Sequence, residues 1–250
     1  MARRSTADRA GLTPSAVIDA ALALTEASGL SGWTIRDLAG RLGTSSSAIY
    51  HHVGGIEAVH REIARRVIAL LPVPEPEPSR APKSPPVWVT WFERLLLDAY
   101  PLLTRYPGLP HWFTMHGPAF PDALPIVETG IGLLRDDGFG ERAGTAYALL
   151  LNTAMLTLGV TDARARANLG SPGGAKDHSS MLTTFEELPA GAEHARALAV
   201  SMIQPYTLGP ASAAAERRRY YEAAVRVTIA GVLAERTWLT EAATPAPEPD

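Results

Sequence analysis

The chain has no cysteine. That one absence removes a disulfide scaffold, a thiol nucleophile and any cysteine-ligated metal site. No apolar run reads as approaching the roughly 20 residues of a membrane span, so no membrane partner is expected. The first 15 residues, MARRSTADRAGLTPS, lack the apolar centre of a secretion signal, and the expected location is cytoplasmic. Catalytic motifs are missing as well. There is no phosphate-binding loop, H-E-x-x-H or G-x-S-x-G. Neither Gly130-Ile131-Gly132 nor Gly138-Phe139-Gly140 completes G-x-G-x-x-G or follows a strand. The adjacent His51 and His52 diverge by about 100° on a helix and do not converge on a metal. The pattern therefore predicts no enzyme, no cofactor and no metal. Charge of one sign is not dominant either. The net charge is −3, with eight Arg against six Asp plus Glu in residues 1–66, so the N-terminal part is mildly basic and the remainder acidic.

What the chain does have is apolar content (46%) and a length of 250 residues, enough for one small and one larger helical unit. The most informative stretch is residues 34–53, TIRDLAGRLGTSSSAIYHHV. Ile35, Leu38, Ala39 and Leu42 recur at i, i+3, i+4 and i+7, the stripe of a helix. Thr34 stands before it as an N-cap, and Gly43 closes it in the left-handed conformation. Thr44 is then read as the cap of a second helix, with Ala48, Ile49 and Val53 pointing inward. Its other face carries Ser45, Ser46, Ser47, Tyr50, His51 and His52, all able to hydrogen-bond and none with a fixed negative charge. Helix, short turn and polar-faced helix is the pattern of a DNA-reading helix-turn-helix.

The flanks extend it. Thr13-Pro14 opens an earlier helix with Val17, Ala20, Ala21, Leu24 and Ala27 on its apolar face and Gly29 at its end. After Gly54-Gly55, Ile56, Val59, Ile63, Val67 and Leu70 predict a fourth helix to about Leu71. Across residues 12–71 this resembles the N-terminal domain of the TetR family of repressors. The resemblance is carried by Gly32-Trp33-Thr34-Ile35-Arg36-Asp37-Leu38-Ala39, Leu42-Gly43-Thr44-Ser45 and Ala48-Ile49-Tyr50-His51-His52-Val53. It departs at the start of the fourth helix, where the family usually has a lysine and this chain has Ile56; Arg3, Arg4 and Arg9 of the N-terminal arm can substitute for that charge.

The resemblance implies an all-α protein: an N-terminal helix-turn-helix domain followed by a larger helical ligand-binding and dimerisation domain. It implies a homodimeric transcriptional repressor that leaves a palindromic operator on double-stranded DNA when a small-molecule effector binds. The residues expected to meet DNA are Arg3, Arg4, Thr34, Arg36, Thr44, Ser45, Ser46, Ser47, Tyr50, His51 and His52, with Tyr50 and His52 on phosphates. A helical DNA-binding or architectural protein without an effector is the alternative.

The expected division is a DNA-binding domain at 1–71, a proline-rich linker at 72–86, a helical effector and dimer domain at 87–239 and a disordered tail at 240–250. The linker, PVPEPEPSRAPKSPP, cannot continue a helix. Beyond it, Trp88 to Leu103 form one apolar stripe. Residues 109–121 read as loop, Pro121 to Gly138 and 141–160 as helices, 171–180 as a mobile loop, and 190–203 and 212–238 as helices. Helical bundles bind small molecules between their helices, and the candidates for such a pocket are Trp91, His111, Trp112, Phe113, Met115, His116, Tyr147, Asn152 and Met155. Asn152, inside the apolar run ALLLNTAMLTLG, is read as a buried amide. The last helix, with Ala224, Gly231 and Val232, is expected to form a four-helix dimer contact with the helix near 190–203.

Overall fold

The computed structural model describes residues 12–78, 84–117, 120–170 and 174–237, with backbone alone for 163–170 and 174–177. Arg3, Arg4, Arg9 and the tail at 240–250 lie outside the described residues. Among the described residues every regular element is helical: α1 (Pro14–Ser28), α2 (Ile35–Leu42), α3 (Ser46–Val53), α4 (Ile56–Ile68), α5 (Val87–Arg105), α6 (Leu109–His116), α7 (Leu124–Asp136), α8 (Ala143–Gly170), α9 (Gly174–Glu186), α10 (Glu193–Met202), α11 (Gln204–Thr207) and α12 (Pro210–Ala234).

The first four helices close around Val17, Ile18, Ala21, Leu38, Ile49, Val59 and Ile63, none more than 2% exposed. Burying each large side chain of this set contributes about 1.5–3 kcal/mol. Thr25 is the buried polar residue of this core. Its hydroxyl donates to Ala21 O at 2.9 Å and accepts from Trp33 Nε1 at 3.0 Å, so the indole between α1 and α2 is held at both its apolar and its polar end. A Cβ on Gly32 would overlap the Ser28 carbonyl at 2.0 Å, which accounts for glycine beside that tryptophan. Ala27, assigned inward from its spacing, is exposed; Ile18 and Thr25 take its place.

Several boundaries differ from the sequence reading. Ser45, not Thr44, caps α3. The Thr44 N–H bonds Ala39 O at 3.0 Å as part of the left-handed closure at Gly43 (φ 63°), so Thr44 is spent in ending α2. Helix α4 stops at Ile68 rather than Leu71, and Leu70 is exposed, because Pro72 pushes the residue before it out of helical geometry. Residues 109–116 form helix α6, not loop, with Pro110 in its first turn, where a missing N–H costs nothing. Pro121 opens a short 3-10 turn, Pro121–Ala123, before α7, which ends at Asp136; Leu124 faces out and Ile126 in. Helix α8 continues ten residues past the expected 160 to Gly170, α9 replaces most of the expected loop at 171–180, and α12 runs Pro210–Ala234.

In the larger part, α8 is central. Its stretch Gly140–Asp162 is long and apolar enough by length and composition to cross a membrane, contrary to the reading that no run approaches that length. Here it packs against α5, α6, α7 and α12 and buries Ala146, Tyr147, Leu150, Ala154, Met155 and Leu158. The proline-rich segment is pinned where Trp91 Nε1 donates to Pro74 O at 2.7 Å.

The two groups of helices meet directly. Leu30 N donates to Pro107 O at 2.8 Å, and Arg105 pairs with Glu26 at 3.0 Å. From α4, Arg65 Nε meets Asp122 Oδ2 at 2.8 Å and its Nη1 meets Glu62 at 2.7 Å. Such exposed pairs contribute at most about 1 kcal/mol each, so they set orientation more than stability.

Candidate nucleic-acid interface and internal cavity

Helix α3 is held from below by Ile49, fully buried, and by half-buried Ala48 and Val53. Its opposite face is solvent-exposed at Ser45, Ser47, Tyr50, His51 and His52, with Ser46 half-buried. Tyr50 is 56% exposed, a large exposure for an aromatic ring. The Ser45 hydroxyl accepts from Ala48 N at 3.2 Å and keeps its proton free to donate. His51 and His52, expected to diverge, are both exposed and touch edge to face with centroids 5.6 Å apart.

Thr34 and Arg36, at the start of α2, are both exposed. The Thr34 hydroxyl is already engaged: it accepts from Asp37 N at 3.3 Å and donates to Asp37 Oδ2 at 2.7 Å, while Thr34 N donates to the same carboxylate at 2.8 Å. This is a complete capping box. The two Thr34 hydrogen bonds hold the Asp37 carboxyl below its ordinary value, with Arg36 adding to the effect. Thr44 is half-buried with its backbone committed to α2, so with Ser46 it is less presented to a partner than the exposed members of the set.

A cavity of about 430 Å³ lies between α5, α6, α7 and α8. Its walls are Leu95, Leu96, Ala99 and Leu103 of α5, Phe113 and Thr114 of α6, Ile126 and Val127 of α7, and Tyr147, Ala148, Leu151, Asn152 and Met155 of α8, with Gly117 and Ala123 between elements. Ile68 and Leu71, at and just past the end of α4, close one side. An occupant would therefore touch the helix that carries the α3 unit.

Of the nine residues read as pocket candidates, Phe113, Tyr147, Asn152 and Met155 line this cavity. The other five do not. Trp91 is buried against Pro74, and Trp112 is buried and stacks on His116 at 4.2 Å. His111, Met115 and His116 face solvent from α6. Asn152 is exposed rather than buried, so its amide carries no desolvation cost in the single chain. The aliphatic residues of α4, α5 and α7 escaped sequence reading because a cavity wall and a packed core have the same composition. Tyr147 is the most perturbed group here: burial pushes its phenol up to about 12.

Residues 17–63 match the family model for bacterial regulatory proteins of the tetR family. No curated protein matches by sequence. Among solved structures, apo ActR from Streptomyces coelicolor is 23% identical, with a TM-score of 0.67 over 91% of this chain and 99% of that one. ActR in complex with actinorhodin is 25% identical, with a TM-score of 0.65 over the same shares. A TetR variant from Acinetobacter baumannii AYE in complex with minocycline is 20% identical, with a TM-score of 0.58 over 96% of this chain and 100% of that one. The helix-turn-helix segment thus matches the tetR family in sequence, and the described architecture is similar to solved TetR-family proteins in fold.

Proposed function

We propose that this regulator is a homodimeric repressor that holds a palindromic operator through two copies of α3 and releases it when a small molecule occupies the cavity between α5 and α8. The observation that carries this reading is Ile68 and Leu71 lining the cavity: the ligand wall and the end of α4 are the same side chains. ActR and TetR are found with small molecules bound, which supports an effector-responsive reading over an architectural protein with none.

In this reading residues 1–71 are the DNA-binding domain, 72–86 the linker and 87–239 the effector and dimer domain. Helix α3 enters the major groove, where Ser45, Ser46, Ser47 and His51 reach base edges or backbone and Tyr50 and His52 hold phosphates. Arg36, exposed and without a hydrogen-bond partner among the described residues, is placed to read a guanine through two parallel bonds. Thr34 acts through its capping box, and Thr44 through the turn. Arg3 and Arg4 add phosphate contacts from the arm. The start of α4 offers backbone N–H groups to a phosphate, since Gly55 provides no side-chain cap, although Glu57 in that first turn weakens the site.

The dimer contact is assigned to α8 and α12. Leu149, Leu156 and Val160 on α8 and Tyr220 and Val227 on α12 are exposed apolar residues, between 45% and 71% accessible, on two helices packed side by side. Sequence spacing selects Tyr220, Tyr221, Ala224, Val225, Thr228, Gly231 and Val232 on this helix; Tyr220 is exposed, while Tyr221, Val225 and Val232 are at most 5% exposed and belong to the chain's own core. The helix near 190–203, α10, packs on α9 and α11 and is not part of this face.

Selection of bound duplexes from a random pool, followed by a release screen with small molecules on the selected site, tests the proposal. A palindromic consensus with at least one releasing compound is expected. Half-sites without symmetry would contradict the dimer, and a palindrome that no compound releases would favour the effector-free alternative.

A further inference from the structure

The cavity contains a chemical selection rule. No Lys, Arg, His, Asp or Glu is among its lining residues; the polar side chains there are Thr114, Tyr147 and Asn152. Thr114 donates its hydroxyl proton to Pro110 O at 3.1 Å, so it can only accept from a ligand. Tyr147 is 9% exposed and its hydroxyl makes no hydrogen bond within the described chain. Its ring packs edge to face on Phe92, with centroids 5.9 Å apart, and lies close to Gly130. The hydroxyl is unpaired within the protein and lines the cavity, so a ligand acceptor can take its hydrogen bond. An anion in the same place would find no cation to offset the loss of its hydration.

We infer that the cavity takes an uncharged, largely apolar molecule that carries a hydrogen-bond acceptor for the Tyr147 hydroxyl, and that it discriminates against carboxylates of the same shape. Burial keeps that phenol protonated across the physiological range, so it stays a donor. Asn152, exposed at the cavity wall, can accept or donate to a substituent near the opening. This identification of ligand class rests on the effector reading above, with Tyr147 as its specificity residue.

The test uses the full-length protein and three naphthalene probes: the neutral ketone prodan, the carboxylate that replaces its ketone, and the parent dimethylamino-naphthalene lacking both. Prodan fluorescence reports hydrogen bonding to its carbonyl directly. Prodan is expected to bind at least roughly tenfold more tightly than the carboxylate. Tyr147→Phe keeps the ring and its packing, so it should weaken prodan by roughly three- to tenfold and shift its emission to the blue. The same variant should leave the parent amine unchanged. Ala148→Phe, filling a half-buried wall position, should reduce binding of both neutral probes.

A carboxylate that binds as tightly as the ketone overturns the exclusion of anions. A ketone whose emission and affinity ignore Tyr147→Phe overturns the role of Tyr147. Failure of every probe to bind overturns the cavity assignment. Operator affinity, measured on the same preparations, is read separately: its retention alongside any of these failures leaves DNA recognition standing and removes only the ligand class.

Discussion

Two glycines two residues apart on α7 give a matched pair of perturbations with opposite expected signs. Each Gly→Ala change in a helix interior contributes about 1 kcal/mol through reduced freedom of the unfolded chain and better helix propensity. At Gly132 a new Cβ would meet nothing within 4 Å, so Gly132→Ala should realise that gain. At Gly130 the same Cβ would lie 2.9 Å from Tyr147 Cε2 and 3.0 Å from Phe92 Cζ, and both rings belong to the core. Overpacking of that kind costs about 1–3 kcal/mol, which equals or exceeds the gain. The 430 Å³ cavity beside Tyr147 supplies an escape: the ring can yield into it, lowering the strain while consuming ligand volume. Gly130→Ala is therefore expected between neutral and about 2 kcal/mol destabilised, with weakened binding of prodan. Gly132→Ala should raise the midpoint by about 2–4 °C and leave the probe untouched. Thermal scans at one protein concentration, to hold dimer mass action fixed, and probe titrations decide it. A Gly130→Ala variant stabilised as much as Gly132→Ala, with ligand binding intact, would refute the close contact among Gly130, Tyr147 and Phe92.

Further expectations follow from the interface, the dimer face and the junction. In gel-shift titrations Tyr50→Phe should weaken all operator variants alike, whereas Arg36→Ala should relax preference at one position by about 1–3 kcal/mol; a sequence-blind loss for Arg36→Ala would demote it to a backbone contact. Val227→Arg, at a site 71% exposed in the protomer, should yield folded monomers in sedimentation with operator binding lost, while Val232→Arg should unfold the chain; a dimeric Val227→Arg protein would move the contact elsewhere. His60 stands at the junction edge to face with Trp33 at 5.5 Å, its Nε2 buried without a partner. Burial lowers its pKa from the ordinary 6.5, outweighing Glu57 and the Leu30 carbonyl, which favour the charged form, while nearby His116 lowers it further. The unfolded chain then binds a proton that the folded chain refuses, so stability is full above about pH 6.5 and declines as pH falls below it. His60→Gln should flatten the melting temperature between pH 7.5 and pH 5.5 (roughly one unit either side of 6.5); an unchanged slope would assign the acid sensitivity to other groups.

Local chemistry was readable from residues alone. Thr34 before a helical stripe, Gly43 after it, and a polar run opposite Ile49 depend on interactions within four residues, so the helix-turn-helix and its exposed face were legible without tertiary information. The proline-rich break at 72–86 and the all-helical remainder follow from the same local rules. The cap of α3 is local too: Ser45 rather than Thr44 takes it, the Thr44 N–H closing α2 on Ala39 O. Other features were decided only by what lies far away in sequence. Residues 109–116 became helix α6 by packing against α8, where a Cβ on Gly159 would lie 3.5 Å from the His111 backbone. Asn152 and Val232 exchanged the surroundings expected of them, one exposed and one buried, because periodicity states that a helix has faces without saying which neighbour covers each. The cavity is the clearest case: Ile68, Leu95 and Ile126 are ordinary aliphatic residues on three helices, and only their failure to meet in the folded chain makes a space that a ligand can fill.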